Sequence, residues 1–387
     1  MNPAFPIRVL YLSGYTHPMH HRKVELLADA ENLEILNING LDCDRKSGRY
    51  PSADGRRSYD IINLPTAYLL NQDVHRVFYW PPRFQLRSFR PHLIYCEHEQ
   101  ESLMALEASI MRSLFCPGAP LILYSWQNIL RKRNIFVRMV SDATLRAAQH
   151  IFCASSEGIE VLRQQGYIHG ATVVQQMGTD TSLFHPMPGH TLRAQLGLTG
   201  MVIGYIGRLA PEKGVDTLLQ AATEISTPYQ ILLIGSGSEK QRLQALAETY
   251  GIAQHCLWLD ALPYEQVPHY LNVLDVLVLP SRTTPNWKEQ FGRVLIEAMA
   301  CKAPVVGSDS GAIPEVIGDA GCIFPEGNSR RLAEVLKLLF EQPELRLQLG
   351  EAGFKRVQAH YTVERLAAKT LSAWLSVVKN APDGVAT

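Results

Sequence analysis

Short runs of apolar residues recur along the chain, separated by longer stretches in which apolar positions return every three or four residues. The short runs have strand length and the longer ones have helical period, so the chain reads as repeated strand–helix units. A first series predicts strands at Ile7–Leu12, Leu33–Ile38, Pro91–Cys96, Pro120–Ser125, His150–Ala154 and Ala171–Val174, with amphipathic stretches at 99–114, 134–148 and 156–165. A second predicts strands at Met201–Ile206, Tyr229–Ile234, Cys256–Leu259, Val276–Leu279, Ala303–Val306 and Gly321–Phe324. Its helical patterns fall at 214–223, 238–250, 264–273, 290–301, 329–341 and 343–359. Strands apolar on both faces, alternating with helices, call for parallel sheets covered on both sides.

Residues 177–200 interrupt the rhythm. Met177–Gly189 is rich in turn formers and reads as a linker. The expected organisation is α/β: a first doubly wound domain at 1–195 and a second at 196–361, facing across a cleft. A last helix at about 362–380 has no following strand and is expected to cross back to the first domain. In such sheets ligands bind beyond the carboxyl ends of the strands.

Composition narrows the function. Thirty-seven Lys and Arg balance thirty-seven Asp and Glu, which argues against a protein that neutralises nucleic-acid phosphates. No apolar run approaches the length of a membrane-spanning helix. MNPAFPIRVLYL has no basic segment ahead of an apolar core, so a cytoplasmic protein is expected. The seven cysteines, at 43, 96, 116, 153, 256, 301 and 322, have neither zinc nor disulfide spacing and read as buried free thiols.

Two segments carry chemistry. Glu289-Gln-Phe-Gly-Arg-Val-Leu-Ile-Glu297 follows a strand and a loop. If Glu289 opens a helix, eight residues place Glu297 about 12 Å along it, the span from the ribose to the sugar ring of a nucleotide-sugar. The amides of Gln290, Phe291 and Gly292 would leave the helix N-terminus, where an anion is stabilised. The plainer alternative is a dipole-favoured Glu289 and an i,i+4 pair between Arg293 and Glu297. The second segment is Gly207-Arg-Leu-Ala-Pro-Glu-Lys-Gly214. Its glycines make room, and Arg208 and Lys213 set two cations beside a helix start, suited to a diphosphate. Gly235-Ser-Gly-Ser-Glu239 reads as a tight turn.

With these two segments in this order, and with Ala303-Pro-Val-Val-Gly-Ser-Asp-Ser-Gly-Ala-Ile-Pro-Glu315 after them, the chain resembles the retaining glycosyltransferases of family 4, which have the GT-B fold. The likeness covers 196–380; before that it is looser, at Ser13-Gly14 and at Gly178–Pro186. The resemblance implies transfer of a hexosyl group from a nucleotide-diphospho-sugar to an acceptor hydroxyl, with retention and front-face departure of the nucleoside diphosphate. UDP-hexose is the favoured donor and GDP-mannose the next. It assigns the diphosphate to Arg208 and Lys213, the ribose to Glu297 and the donor sugar to Glu289. Amides from Gln290 to Arg293 would touch sugar and phosphate, Leu262 the base through its backbone, and Gly14 the phosphate.

Many members of that family carry a His after the strand equivalent to 120–125. Here the stretch is Tyr124-Ser-Trp-Gln-Asn128, and Gln127 is taken as the substitute. Glu97 and His98 are candidates for orienting an acceptor hydroxyl. No cofactor or metal is implied; Asp42-Cys-Asp44 and His20-His21-Arg22 are read as solvated or acceptor-side residues. The aromatic and arginine-rich segment 75–90, with Arg131-Lys-Arg133, suggests contact of the first domain with an anionic bilayer carrying a lipid-linked acceptor. A cell-envelope polysaccharide or glycolipid is the expected product. The alternatives are a small soluble acceptor such as a sugar phosphate, a nucleotide-sugar epimerase, a pyridoxal-dependent phosphorylase and a sugar-binding protein.

Overall fold

The computed structural model describes residues 6–13, 21–40, 45–68, 77–79 and 87–380. The chain divides into two compact units, one of residues up to Met177 together with those from Val363 onwards, the other Gly178–Thr362.

The first unit is built on an eight-stranded sheet. Its strands are β1 Ile7–Leu12, β2 Leu33–Gly40, β3 Gly48–Pro51, β4 Ser58–Leu64, β7 Leu93–Cys96, β8 Leu121–Ser125, β9 His150–Cys153 and β10 Gly170–Val173, in the order β10-β9-β8-β7-β1-β2-β4-β3. A separate antiparallel pair is formed by β5 Thr66–Tyr68 and β6 Val77–Tyr79. Only β3 runs antiparallel in the main sheet. The six strands expected from the sequence are present, but β3 to β6 were not anticipated. β4 alternates Tyr59 and Ile61 inward with Asp60 and Asn63 less buried, and its flanks are rich in arginine. That polarity masked an edge region in which one face stays wet.

Alternate residues of β1 feed two cores. Leu10 and Leu12 lie in one, Val9 and Tyr11 in the other. The helix Val363–Lys379 belongs to this unit because Trp374 is buried in the second of these cores, with ring centroids 5.2 Å from Tyr95 and 6.0 Å from Tyr11.

The second unit has six parallel strands: β11 Met201–Ile206, β12 Tyr229–Ile234, β13 Cys256–Leu259, β14 Val276–Leu279, β15 Val305–Ser308 and β16 Cys322–Phe324. Their order, β13-β12-β11-β14-β15-β16, reverses direction between β11 and β14. At such a switch point the two neighbouring loops leave a crevice for ligands.

Residues 178–195, expected with the first domain, pack on the second instead. Thr179 bridges Thr362, the Met187 amide donates to Asn272 Oδ1 at 2.7 Å, and Arg193 pairs with Asp275 at 2.7 Å. The turn-rich composition gave no sign of these polar anchors. Of the cysteines, 96, 116, 153 and 301 are buried and 256 and 322 half-buried, all free; burial pushes their thiols up. Cys43 and the segment 381–387 lie outside the described residues.

Candidate functional site

In the second unit the loops after β11 and β14 meet at the switch point. β11 ends at Ile206, and Gly207 turns the chain. The Tyr205 hydroxyl donates to the Arg208 carbonyl at 2.7 Å, fixing that turn from below. Pro211–Lys213 forms one 3-10 turn, and Gly214, at φ +63°, caps the helix Val215–Ala222. A Cβ at Gly214 would lie 2.0 Å from the Pro280 carbonyl oxygen, so the two loops touch through backbone there.

The turn at 235–239 is more than a connection. The Leu209 amide donates to the Ser236 carbonyl at 2.8 Å, and the Glu239 amide to the Leu209 carbonyl at 3.1 Å. A Cβ at Gly235 would fall 1.9 Å from the Gly207 oxygen, and one at Gly237 2.0 Å from the Leu209 oxygen. The second glycine-rich turn thus buttresses the first.

Lys213 and Glu289 are brought together. Lys213 Nζ donates to Glu289 Oε2 at 2.7 Å and stands 4.6 Å from the centre of the Trp287 ring. The same carboxylate oxygen accepts from Ser281 Oγ at 2.8 Å, and the Glu289 carbonyl accepts from the Ala312 amide at 2.9 Å. Glu289 is buried. Ser281, Trp287 and Gly311, whose Cβ would sit 2.1 Å from the Glu289 carbonyl oxygen, were not anticipated; only contacts across the fold reveal them.

Glu289 does not open a helix. The helix is Arg293–Ala300, with Gly292 as its cap at φ +76°, and Glu289 lies in the loop before it. Phe291 is buried, its ring centroid 6.0 Å from that of Tyr361, and this anchor with the left-handed glycine delays the first turn. The expected 12 Å helical spacing to Glu297 is therefore lost. Gln290 is half-buried, and the helix-end amides begin at Arg293 rather than Gln290.

Glu297 is buried inside the helix. Arg293 Nε lies 3.0 Å from Glu297 Oε1, as the plainer alternative for the motif expected. The contact is an ion pair out of hydrogen-bond alignment, and Oε1 receives no hydrogen bond. Burial raises the carboxyl above its usual range; the Arg293 charge and the Tyr264 hydroxyl pull it back. The Tyr264 ring also carries Arg293, 5.1 Å from its centre. The Arg208 side chain is 61% exposed and pairs with Glu212 at 2.6 Å. Leu262 is half-buried in the loop after β13 that leads to Tyr264.

In the first unit Gln127 is buried. Its Oε1 accepts from Gln100 Nε2 and Gln165 Nε2, each at 3.1 Å, so the side chain is held in a glutamine cluster. Trp126 donates from its amide to Glu99 Oε1 at 2.9 Å and from Nε1 to Gln176 at 2.8 Å. Glu97, a candidate for orienting an acceptor hydroxyl, is a buried partner of Lys23, 3.2 Å away, and of the Tyr95 hydroxyl. His21, read as solvated or acceptor-side, is buried. Gly14, His20 and Asp42-Cys43-Asp44 lie outside the described residues. No cluster of three metal-ligating side chains occurs among the described residues.

Residues 191–356 match the family described as glycosyl transferases group 1. This part of the chain belongs to that family. Among its relatives is a GDP-mannose-dependent monoacylated alpha-(1-6)-phosphatidylinositol monomannoside mannosyltransferase of Corynebacterium glutamicum, 32% identical over 48% of this chain and 51% of that protein. The chain spans about half the length of the curated relatives it matches. The fold as a whole is that of the GT-B glycosyltransferases. A sucrose-phosphate synthase from Thermosynechococcus elongatus superposes with a TM-score of 0.74 at 20% identity, covering 96% of this chain and 99% of that one. HepE from Anabaena, solved with UDP, gives 0.75 at 18% identity over 96% and 100%. The GT-B fold carries two Rossmann-like units in one chain, which is what the two sheets are.

Proposed function

We propose that this group 1 glycosyltransferase moves a hexosyl group from a nucleotide-diphospho-sugar to an acceptor hydroxyl, retaining the anomeric configuration. The observation that carries the reading is the meeting of Lys213 with Glu289 at the switch point, with the buried, unbonded Oε1 of Glu297 in the adjoining helix. Lys213 and Arg208 hold the donor diphosphate; Glu289 takes the sugar hydroxyls. Glu297 Oε1 has acceptor capacity for a ribose hydroxyl, which is the kind of donor a buried carboxylate oxygen requires. The amides at Gly292 and Arg293 stabilise the leaving charge at the helix end. The bond from anomeric carbon to diphosphate oxygen breaks and the acceptor oxygen joins on the same face. Its proton leaves with the nucleoside diphosphate. Gln127 keeps its place beside the reacting sugar as a donor through its buried Nε2, which makes no hydrogen bond, while its carbonyl oxygen is engaged twice.

The relative named for GDP-mannose puts that donor level with UDP-hexose. A lipid-linked acceptor of the cell envelope is favoured over a small soluble one by a basic and apolar surface on the first unit. The test is calorimetry and thermal shift with UDP, GDP and ADP and their hexose derivatives, on the wild type beside Glu297→Ala. One nucleotide stabilising the wild type and not the variant supports the reading. No stabilisation by any of them overturns it.

A further inference from the structure

The stretch 130–147 of the first unit is unlike the rest of the chain. It holds five cations, Arg131, Lys132, Arg133, Arg138 and Arg146, against one acid, Asp142, in a chain whose Lys and Arg equal its Asp and Glu overall. Arg131 to Arg133 and Arg138 line a cavity of about 630 Å³, faced by Glu101 and Asp142. Arg133 is neutralised by Glu101 at 2.5 Å. Lys132 and Arg138 form no ion pair with any described residue, and both are exposed.

The same stretch is apolar where a surface helix should be polar. Leu130 is 54% exposed, Ile135 62%, Phe136 77% and Met139 61%. Ile135 and Met139 are four apart on the outward face of the helix Ile135–Ala147, whose buried side holds Thr144 and Leu145. Such a helix normally turns its large apolar side chains to the core. The helix Leu103–Phe115, packed beside it, exposes Ile110 and Leu114, again four apart.

We infer that this face docks on an anionic bilayer, the cations meeting lipid phosphates and the Leu130, Ile135, Phe136 and Met139 side chains entering the boundary of the acyl chains. The combination selects this occupant. Nucleic acid would need the cations but not four bared apolar side chains, and a protein partner would bind without vesicles, an outcome the flotation experiment separates. Interfacial segments set apolar side chains and flanking cations side by side in this way. The inference deepens the lipid-acceptor reading above and rests on it. It keeps the Arg131–Arg133 part of the membrane contact expected from 75–90 and 131–133, and residues 80–86 lie outside the described residues. In the described part of segment 75–90 Tyr79 is buried, and Phe89 packs against the core.

The experiment is flotation of the full chain, without nucleotide, with vesicles of phosphatidylcholine alone and of phosphatidylcholine mixed with phosphatidylglycerol. Two double variants go beside it, Lys132→Gln/Arg138→Gln and Phe136→Ser/Met139→Ser. The wild type is expected to favour the mixed vesicles by about tenfold or more, and each variant to lose about tenfold, with melting temperature unchanged. Equal behaviour of wild type and variants, or no flotation, overturns the docking surface. So does a melting shift by inorganic phosphate that depends on Lys132 in a protein that does not float, which would mark a small-anion site. Nucleotide stabilisation, read on the same samples, separates this outcome from failure of the transferase reading.

Discussion

Lys213 Nζ and Glu289 Oε2 are 2.7 Å apart, so the cation assigned to the diphosphate and the carboxylate assigned to the sugar satisfy each other across the switch point of the second sheet. A donor must draw Lys213 partly away from Glu289. Glu289→Gln therefore leaves nucleoside diphosphate affinity equal to the wild type or raises it by up to about tenfold, because the ammonium loses its competing charge. Sugar transfer falls by about 100-fold in the same variant. Calorimetry with the diphosphate and an initial-rate assay check both; affinity falling in step with rate would sink the assignment.

Arg208 is the exposed member of the pair of cations, and its bond to Glu212 is at the surface. Such pairs contribute little. Arg208→Ala should unfold within about 0.5 kcal/mol of the wild type. It should lose the stabilisation of about 2.7 kcal/mol that a ligand at a hundredfold its Kd provides. Chemical denaturation with and without nucleotide measures the two separately. A variant that is destabilised without ligand would mean that Arg208 is structural.

Burial raises Glu99 and Glu107 of the first unit to about 7, against a usual value of 4.5, although the Trp126 and Tyr79 amides respectively oppose the shift. Between those two values the folded chain keeps protons that the unfolded chain releases. Stability contributed by the neutral carboxyls is thus present at acid pH and declines as pH rises from about 4.5 to about 7. Glu99→Gln keeps an oxygen for the Trp126 amide and cannot ionise. Its stability should converge with that of the wild type near about pH 4 and exceed it by about 3 kcal/mol near about pH 8. Denaturant midpoints across pH test the sign, which a parallel pair of curves would refute.

Gly214 and Gly197 both sit at positive φ, but only Gly214 faces backbone: the Pro280 oxygen lies 2.0 Å from the point an alanine Cβ would occupy. Gly197→Ala should cost about 1 kcal/mol, the strain of the left-handed region alone. Gly214→Ala should cost about 3 kcal/mol or more and weaken nucleotide binding, since the loop holding Lys213 must shift. Equal costs for the two substitutions would remove the close contact from the explanation.

The order of residues was enough to place the strands of the two series, because buried parallel strands are short unbroken apolar runs and the helices between them keep a 3.6-residue period. It also marked Arg208 and Lys213, as cations between two glycines after a strand, and Glu289 and Glu297, as acids eight residues apart across a helix start. Folding in three dimensions was needed to show that Lys213 and Glu289 touch, that Arg293 and not Glu289 opens the helix, and that Gln127 is locked by Gln100 and Gln165. These facts depend on side chains distant in sequence meeting at loop ends, where no periodicity records the partner. The polar-edged strands Gly48–Pro51 and Ser58–Leu64 were hidden for the related reason that an edge of a sheet keeps one side in water. The apolar side chains of 135–139 follow a core-like pattern along the chain; only the packing showed that they face outward.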